Sequence, residues 1–159
     1  RLTLKNSSVD FWDNENPQEK KDWGKLLHFA LSKIYSLEEK DKIIEDMYLR
    51  GICNKTEYDK LIFEVNTLFE CPEILFFFNK EWQVKTEKEI LLPNGKTYIP
   101  DRILFKENEV VVIDYKTGKK DKSHHQQIVK YSNALKNMGY KNISLYLIYT
   151  SQKNKVEKI

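Results

Sequence analysis

Asp101, Asp114 and Lys116 are the residues of this chain best placed to do chemistry together. They lie in the stretch YIPDRILFKENEVVVIDYKTG, Tyr98 to Gly118. It reads as two strands joined by a polar turn, Lys106-Glu107-Asn108. Alternate side chains of a strand share a face. One row of the first strand is then Ile99, Asp101, Ile103 and Phe105, and one row of the second is Val110, Val112, Asp114 and Lys116. Each carboxylate sits among apolar residues, and an ionised carboxylate on a buried face needs a charge partner. Lys116 is one candidate partner, and a divalent metal held between Asp101 and Asp114 is another. Two carboxylates and a lysine so arranged are the parts needed to hydrolyse a phosphodiester. A plain salt bridge between Asp114 and Lys116 is the simpler alternative, since surface pairs of that kind are common and contribute little. Their place at the end of an apolar strand, with Asp101 beside them, favours the chemical reading.

The elements that must position these residues follow from the pattern around them. Val110 to Ile113 is a continuous apolar run, as expected of a central strand buried on both faces. A first strand is expected over Glu81–Leu92 and a second over Thr97–Phe105, joined by Pro93-Asn94-Gly95-Lys96, in which Asn-Gly signals a hairpin. With the third strand, Glu109–Lys116, they make a meander. A helix is expected from His124 to Met138, with Ser123 as N-cap, Gly139 as C′ and an apolar stripe of Ile128, Tyr131, Leu135 and Met138. Ile143–Thr150 is a last strand, parallel to the third through a βαβ crossover. Residues 151–159 read as a loose tail. Upstream, residues 17–35 read as a helix opened by Pro17, with Leu27, Leu31 and Ile34 as its stripe. Ser36 with Glu39 and Asn54 with Glu57 look like capping boxes opening two further helices, the first closed by Gly51 and the second running to Phe69. Pro72 opens a short apolar segment, Ile74–Phe78. Before the first helix, Val9, Phe11 and Trp12 are expected to anchor a polar segment.

Length and composition set the frame. At 159 residues, the chain is expected to be a single domain, 1–159. A hydrophobic fraction of 40% with 13% aromatic residues supports a core. No apolar run approaches the ~20 residues of a membrane span. The first residue is Arg1 rather than methionine, so the domain is expected to be excised from a longer chain. Cys53 and Cys71 lack a metal-site spacing and read as reduced core residues in a cytoplasmic protein. The net charge of +3 is too small to imply nucleic acid by itself. Its distribution says more, because Tyr115–Lys141 holds seven lysines against one acid, Asp121. Lys119, Lys120 and Lys122 follow the candidate site directly, where they would neutralise phosphates and steer a polyanion. His124 and His125 read as phosphate contacts or surface residues.

Four motifs, in order, carry a family resemblance: Gly24-x-x-x-His28, Pro100-Asp101-Arg102-Ile103, Asp114-Tyr115-Lys116-Thr117-Gly118 and Gln127-x-x-x-Tyr131. Together they resemble the PD-(D/E)XK nuclease superfamily and, within it, the nuclease domain of RecB- and AddA-type helicase–nucleases. The resemblance implies an α/β (α+β) fold. This is a restriction-endonuclease-like core with a central mixed β-sheet flanked by helices, plus an N-terminal helical portion. It implies Asp101, Asp114 and Lys116 as catalytic residues. The metal ligands it implies are Asp101, Asp114, the Tyr115 backbone carbonyl and His28. Glu81 is a candidate additional acid near the start of the first strand, with Glu87 and Glu89 as competitors. Gln127, Tyr131 and the three lysines would hold DNA. Hard oxygen donors suit magnesium or manganese. The iron–sulfur members carry three cysteines after the core, and no cysteine follows Tyr131, so no cluster is expected.

The expected activity is therefore metal-dependent DNA cleavage in end processing, recombination or repair, on single strands or duplex ends. The expected partner is a helicase module in the same chain or complex, with no membrane. A catalytically silent DNA-binding module on the same fold and a standalone exonuclease are the alternatives. Retention of Asp101, Asp114 and Lys116 favours an active enzyme.

Overall fold

The computed structural model describes the backbone of residues 17–159 except 87, 93 and 154, and side chains from residue 22 onward. Val9, Phe11, Trp12 and Glu87 lie outside the described residues. The chain divides at Lys80 into a helical unit and, from Glu81, a sheet unit.

In the helical unit α1 spans Pro17–Lys33, α2 Lys40–Leu49, α3 Lys55–Phe69 and α4 Pro72–Phe77. The expected stripe of α1 is buried at Leu27, Leu31 and Ile34. Ser36 opens a 3-10 turn, Leu37–Glu39, that leads into α2, and its N–H donates to Glu39 Oε2 at 3.3 Å. At Asn54 the exchange is reciprocal: Glu57 N–H donates to Asn54 Oδ1 at 2.9 Å and Asn54 N–H to Glu57 Oε2 at 2.8 Å. Two orphan donors of a helix start are thereby satisfied. Gly51 ends α2 with φ 71°, while Ile52 N–H reaches Met47 O at 2.9 Å. That closure needs a left-handed residue, which glycine supplies without strain. Cys53 is buried, Cys71 half-buried, and both are free thiols.

The sheet unit contains β1 (Gln83–Thr86), β2 (Ile90–Leu91), β3 (Thr97–Tyr98), β4 (Arg102–Lys106), β5 (Glu109–Lys116), α5 (Lys122–Asn137), β6 (Asn142–Tyr149) and β7 (Val156–Lys158). The main sheet is mixed, in the order β1-β4-β5-β6-β7, and β2 and β3 form a separate two-stranded ribbon. The meander and the parallel β5–α5–β6 crossover are as expected. Neither long strand upstream of β4 is continuous, however. The expected strand over Glu81–Leu92 divides into β1 and β2, and the expected strand over Thr97–Phe105 divides into β3 and β4. Pro100 has no N–H for a ladder, and the N–H of Asp101 turns to a side chain instead. The Asn94-Gly95 turn closes the β2–β3 hairpin, with Gly95 at φ 78°.

Three expectations near the C-terminal half are corrected. Residues 151–159 are not merely a tail, since β7 adds an antiparallel edge strand to β6. The N-cap of α5 is Asp121, not Ser123: its carboxylate accepts the Ser123 N–H at 2.7 Å. Met138 is exposed, and His124 takes the first place in the buried stripe with Ile128, Tyr131 and Leu135. Gly139, at φ 100°, closes α5 as expected, with Tyr140 N–H on Leu135 O at 3.1 Å. This stripe packs on Ile103, Val110, Val112, Leu145, Leu147 and Tyr149. One face of the sheet, the one bearing the rows of Asp101 and Asp114, is thus covered by α5.

Candidate active site

The β4–β5 ladder ends at the Arg102–Ile113 rung. One residue further, the same register sets Asp101 opposite Asp114. The backbone there bonds to side chains instead of continuing the ladder. Asp101 N–H donates to Asp114 Oδ1 at 3.1 Å, and Tyr115 N–H donates to Asp101 Oδ2 at 2.8 Å. Residues opposed across an antiparallel pair have Cβ atoms about 5 Å apart on the same face. The two carboxylates are therefore neighbours by construction of the sheet, although thirteen residues separate them in sequence.

Asp114 is 1% exposed, and its Oδ2 has no hydrogen-bond partner among the described residues. Burial, then the Asp101 charge, pushes its carboxyl well above the ordinary range, against the pull of Lys116. Lys116 follows in the same row and is itself buried. Its Nζ donates to Gln127 Oε1 on α5 at 2.9 Å. Tyr131, one turn further along α5, is fully buried, edge-on to Tyr98 with ring centroids 4.8 Å apart. Its hydroxyl has no hydrogen-bond partner among the described residues. Burial first, and then the charges of Asp114 and Asp101, raises that phenol far above its usual value. The Gln-x-x-x-Tyr face of α5 thus looks onto the catalytic candidates rather than out to solvent.

On the opposite face, Arg102 is fully buried, and its guanidinium acts on the buried phenol of Tyr115. Burial raises the Tyr115 phenol, and the guanidinium opposes that rise. The end of β5 is strapped by the segment after β6. Thr150 N–H donates to Lys116 O at 2.9 Å, and Ser151 Oγ donates to Thr117 O at 2.5 Å. Nothing in the local sequence signals this strap, which requires β6 to return beside β5.

Other expected residues fall elsewhere. Glu81 is not brought to the pair. It precedes β1 and its carboxylate binds Lys106, at the end of β4 opposite Asp101. Five strand residues separate those ends, roughly 16 Å. Glu89 is exposed between β1 and β2. His28 lies half-buried on α1, in the helical unit. Lys119, Lys120 and Lys122 are exposed, with Lys120 Nζ 3.6 Å from Glu157 of β7. His125 Nε2 lies 2.9 Å from the same Glu157 carboxylate. His124 is not a surface residue. It is buried, with Nδ1 3.1 Å from the Tyr149 hydroxyl.

Among the described residues no group of three or more His, Cys, Asp or Glu side chains is assembled as a metal site. What the sheet does assemble fits a divalent cation. Two adjacent carboxylates, one with a buried oxygen that has no hydrogen-bond partner among the described residues, are hard ligands. A cation there would offset the repulsion that raises Asp114.

The fold thus sets a carboxylate pair and a lysine at one strand end of a mixed sheet. A family model described as the PD-(D/E)XK nuclease superfamily matches residues 4–158, and the chain belongs to that superfamily. Its members are generally nucleases, hydrolases that typically use divalent metals such as magnesium. The mixed five-stranded sheet accords with the restriction-endonuclease-like fold of that superfamily. A search of curated proteins finds no match. No described helix is long and apolar enough to cross a membrane.

Proposed function

We propose that this chain is a divalent-metal-dependent deoxyribonuclease and that Asp101, Asp114 and Lys116 are its catalytic residues. The observation that carries the reading is the Asp101–Asp114 cross-strand pair, in which Asp114 Oδ2 is buried with no hydrogen-bond partner among the described residues. Asp101, Asp114 and the Tyr115 carbonyl would hold magnesium or manganese. The cation, when bound, supplies positive charge against phosphoryl oxygens and makes a water more acidic. Lys116 orients the attacking water and offsets charge that develops on the phosphate, worth most in a buried setting. The exposed Lys119 and Lys122 draw in the polyanion.

The four motifs from Gly24 to Tyr131 support a finer reading. In it the chain is one nuclease domain serving a helicase–nuclease that processes DNA ends in recombination or repair. Free cysteines accord with a cytoplasmic setting.

The test is incubation of the purified protein with linear single-stranded and duplex DNA, with magnesium, manganese or chelator. Asp114→Ala and Lys116→Ala run alongside. Metal-dependent cutting lost in both variants is the expected result. Cutting that survives both would refute the site. Salt-sensitive binding without cutting under any metal would mark a silent DNA-binding module.

A further inference from the structure

Lys116 is 3% exposed, and its ammonium donates to the side-chain oxygen of Gln127 at 2.9 Å. A buried ammonium must find acceptors, and their chemistry decides what the charge can still do. The neutral amide oxygen of Gln127 fixes the direction of the ammonium without adding a charge of its own. Gln127 is also carried on a rigid support. It sits within α5 between His124 and Ile128, both fully packed, and the helix is capped by Asp121 at its start and closed at Gly139. A side chain anchored this way can set another's position to a fraction of an ångström.

We propose that Gln127 is a positioning residue for Lys116 and not a contact to the DNA strand. It aims the ammonium along the row that holds Asp114 and opposes Asp101. This deepens the nuclease reading and rests on it for the role of Lys116, while the contact itself is independent of any activity. Tyr131, one helical turn on and fully buried, belongs to the same inward-facing surface of α5. The Gln-x-x-x-Tyr spacing is then a device for organising the site from behind.

Gln127→Met keeps length and volume but removes the acceptor, and Gln127→Asn keeps the amide but shortens its reach. Both are compared with the wild-type protein in three measurements. In the cleavage assay, kcat is expected to fall about 10- to 100-fold in both, the scale of a misplaced catalytic group, with KM unchanged. In chelator, the Kd for a fluorescent single-stranded oligonucleotide is expected to stay within about twofold, because a phosphate contact is not being removed. By NMR of labelled lysine side chains, with the Lys116 signal assigned by Lys116→Arg, the Lys116 ammonium is expected to be restrained in wild type and freed in Gln127→Met. A weaker Kd with kcat unchanged would overturn the proposal and make Gln127 a strand contact. An unaltered Lys116 signal in Gln127→Met would overturn it as well. If the wild-type protein cuts no DNA with any metal, the nuclease reading fails, and the Lys116 signal alone still decides the positioning role.

Discussion

Asp114→Asn should make the metal-free protein more stable while removing its response to metal. The carboxylate is 1% exposed, faces Asp101 across the sheet, and leaves Oδ2 without a donor among the described residues. Two charges about 5 Å apart repel by about 3 kcal/mol at an effective dielectric of 20. Lys116, two residues along the same row, offsets much of that but not the cost of burying the group. Asparagine keeps an oxygen to accept the Asp101 N–H and carries no charge. A net gain of about 1–3 kcal/mol follows, and for a chain of this size it should raise Tm by roughly 2–10 °C in chelator. Metal acts in the opposite direction. A cation at a hundred times its Kd stabilises the wild type by about 2.7 kcal/mol and leaves the variant unmoved. The pH response has a definite sign. Folded Asp114 holds its proton where the unfolded chain has already released it, so wild-type stability in chelator falls as pH rises from about 4 toward the raised folded value. The variant lacks that component. Scanning calorimetry with chelator, magnesium and manganese across pH checks all three points. A variant less stable than wild type in chelator, or stabilised by metal as strongly, would refute the reasoning.

Two further outcomes follow from buried hydroxyls. Tyr131→Phe removes an oxygen that has no hydrogen-bond partner among the described residues. It should therefore leave metal-free stability unchanged or raise it by up to about 1 kcal/mol in urea unfolding, where loss of a made bond would instead cost about that much. Tyr149, held up to about 12 by burial first and then by Glu157, should ionise after the exposed tyrosines in an ultraviolet titration. Because its folded phenol keeps the proton longer than the unfolded one, stability should decline between about pH 10 and 12. Tyr149→Phe should remove the late phenol near 12 and lessen the decline, to which the raised phenols of Tyr115 and Tyr131 also contribute, and an unchanged ultraviolet titration in that variant would exclude the assignment.

Much of this architecture was legible from local pattern. The βαβ crossover, the α5 closure at Gly139, the Asn54–Glu57 box and the pairing of the Asp101 and Asp114 rows all follow from period, caps and turns. Each is announced by a local signal, a side-chain period, a cap or a turn. The misreadings share the opposite property. The break between β3 and β4 arises because Asp101 gives its N–H to a residue thirteen positions away. β7 forms because Glu157 is met by Lys120 and His125 and because β6 offers an edge. Glu81 matched a position in a strand, yet the register sends it to Lys106 at the far end of β4.

By itself, then, the sequence determined that two carboxylates and a lysine fall in alternating apolar rows, since side-chain period in a strand is a covalent property of the backbone. Only the tertiary structure decided what surrounds them. That Asp114 is buried, that Gln127 accepts from Lys116, and that Tyr131 is sealed inside follow from seating α5 on the sheet. Burial and hydrogen-bond partners are set by packing between distant segments, and no local pattern encodes them.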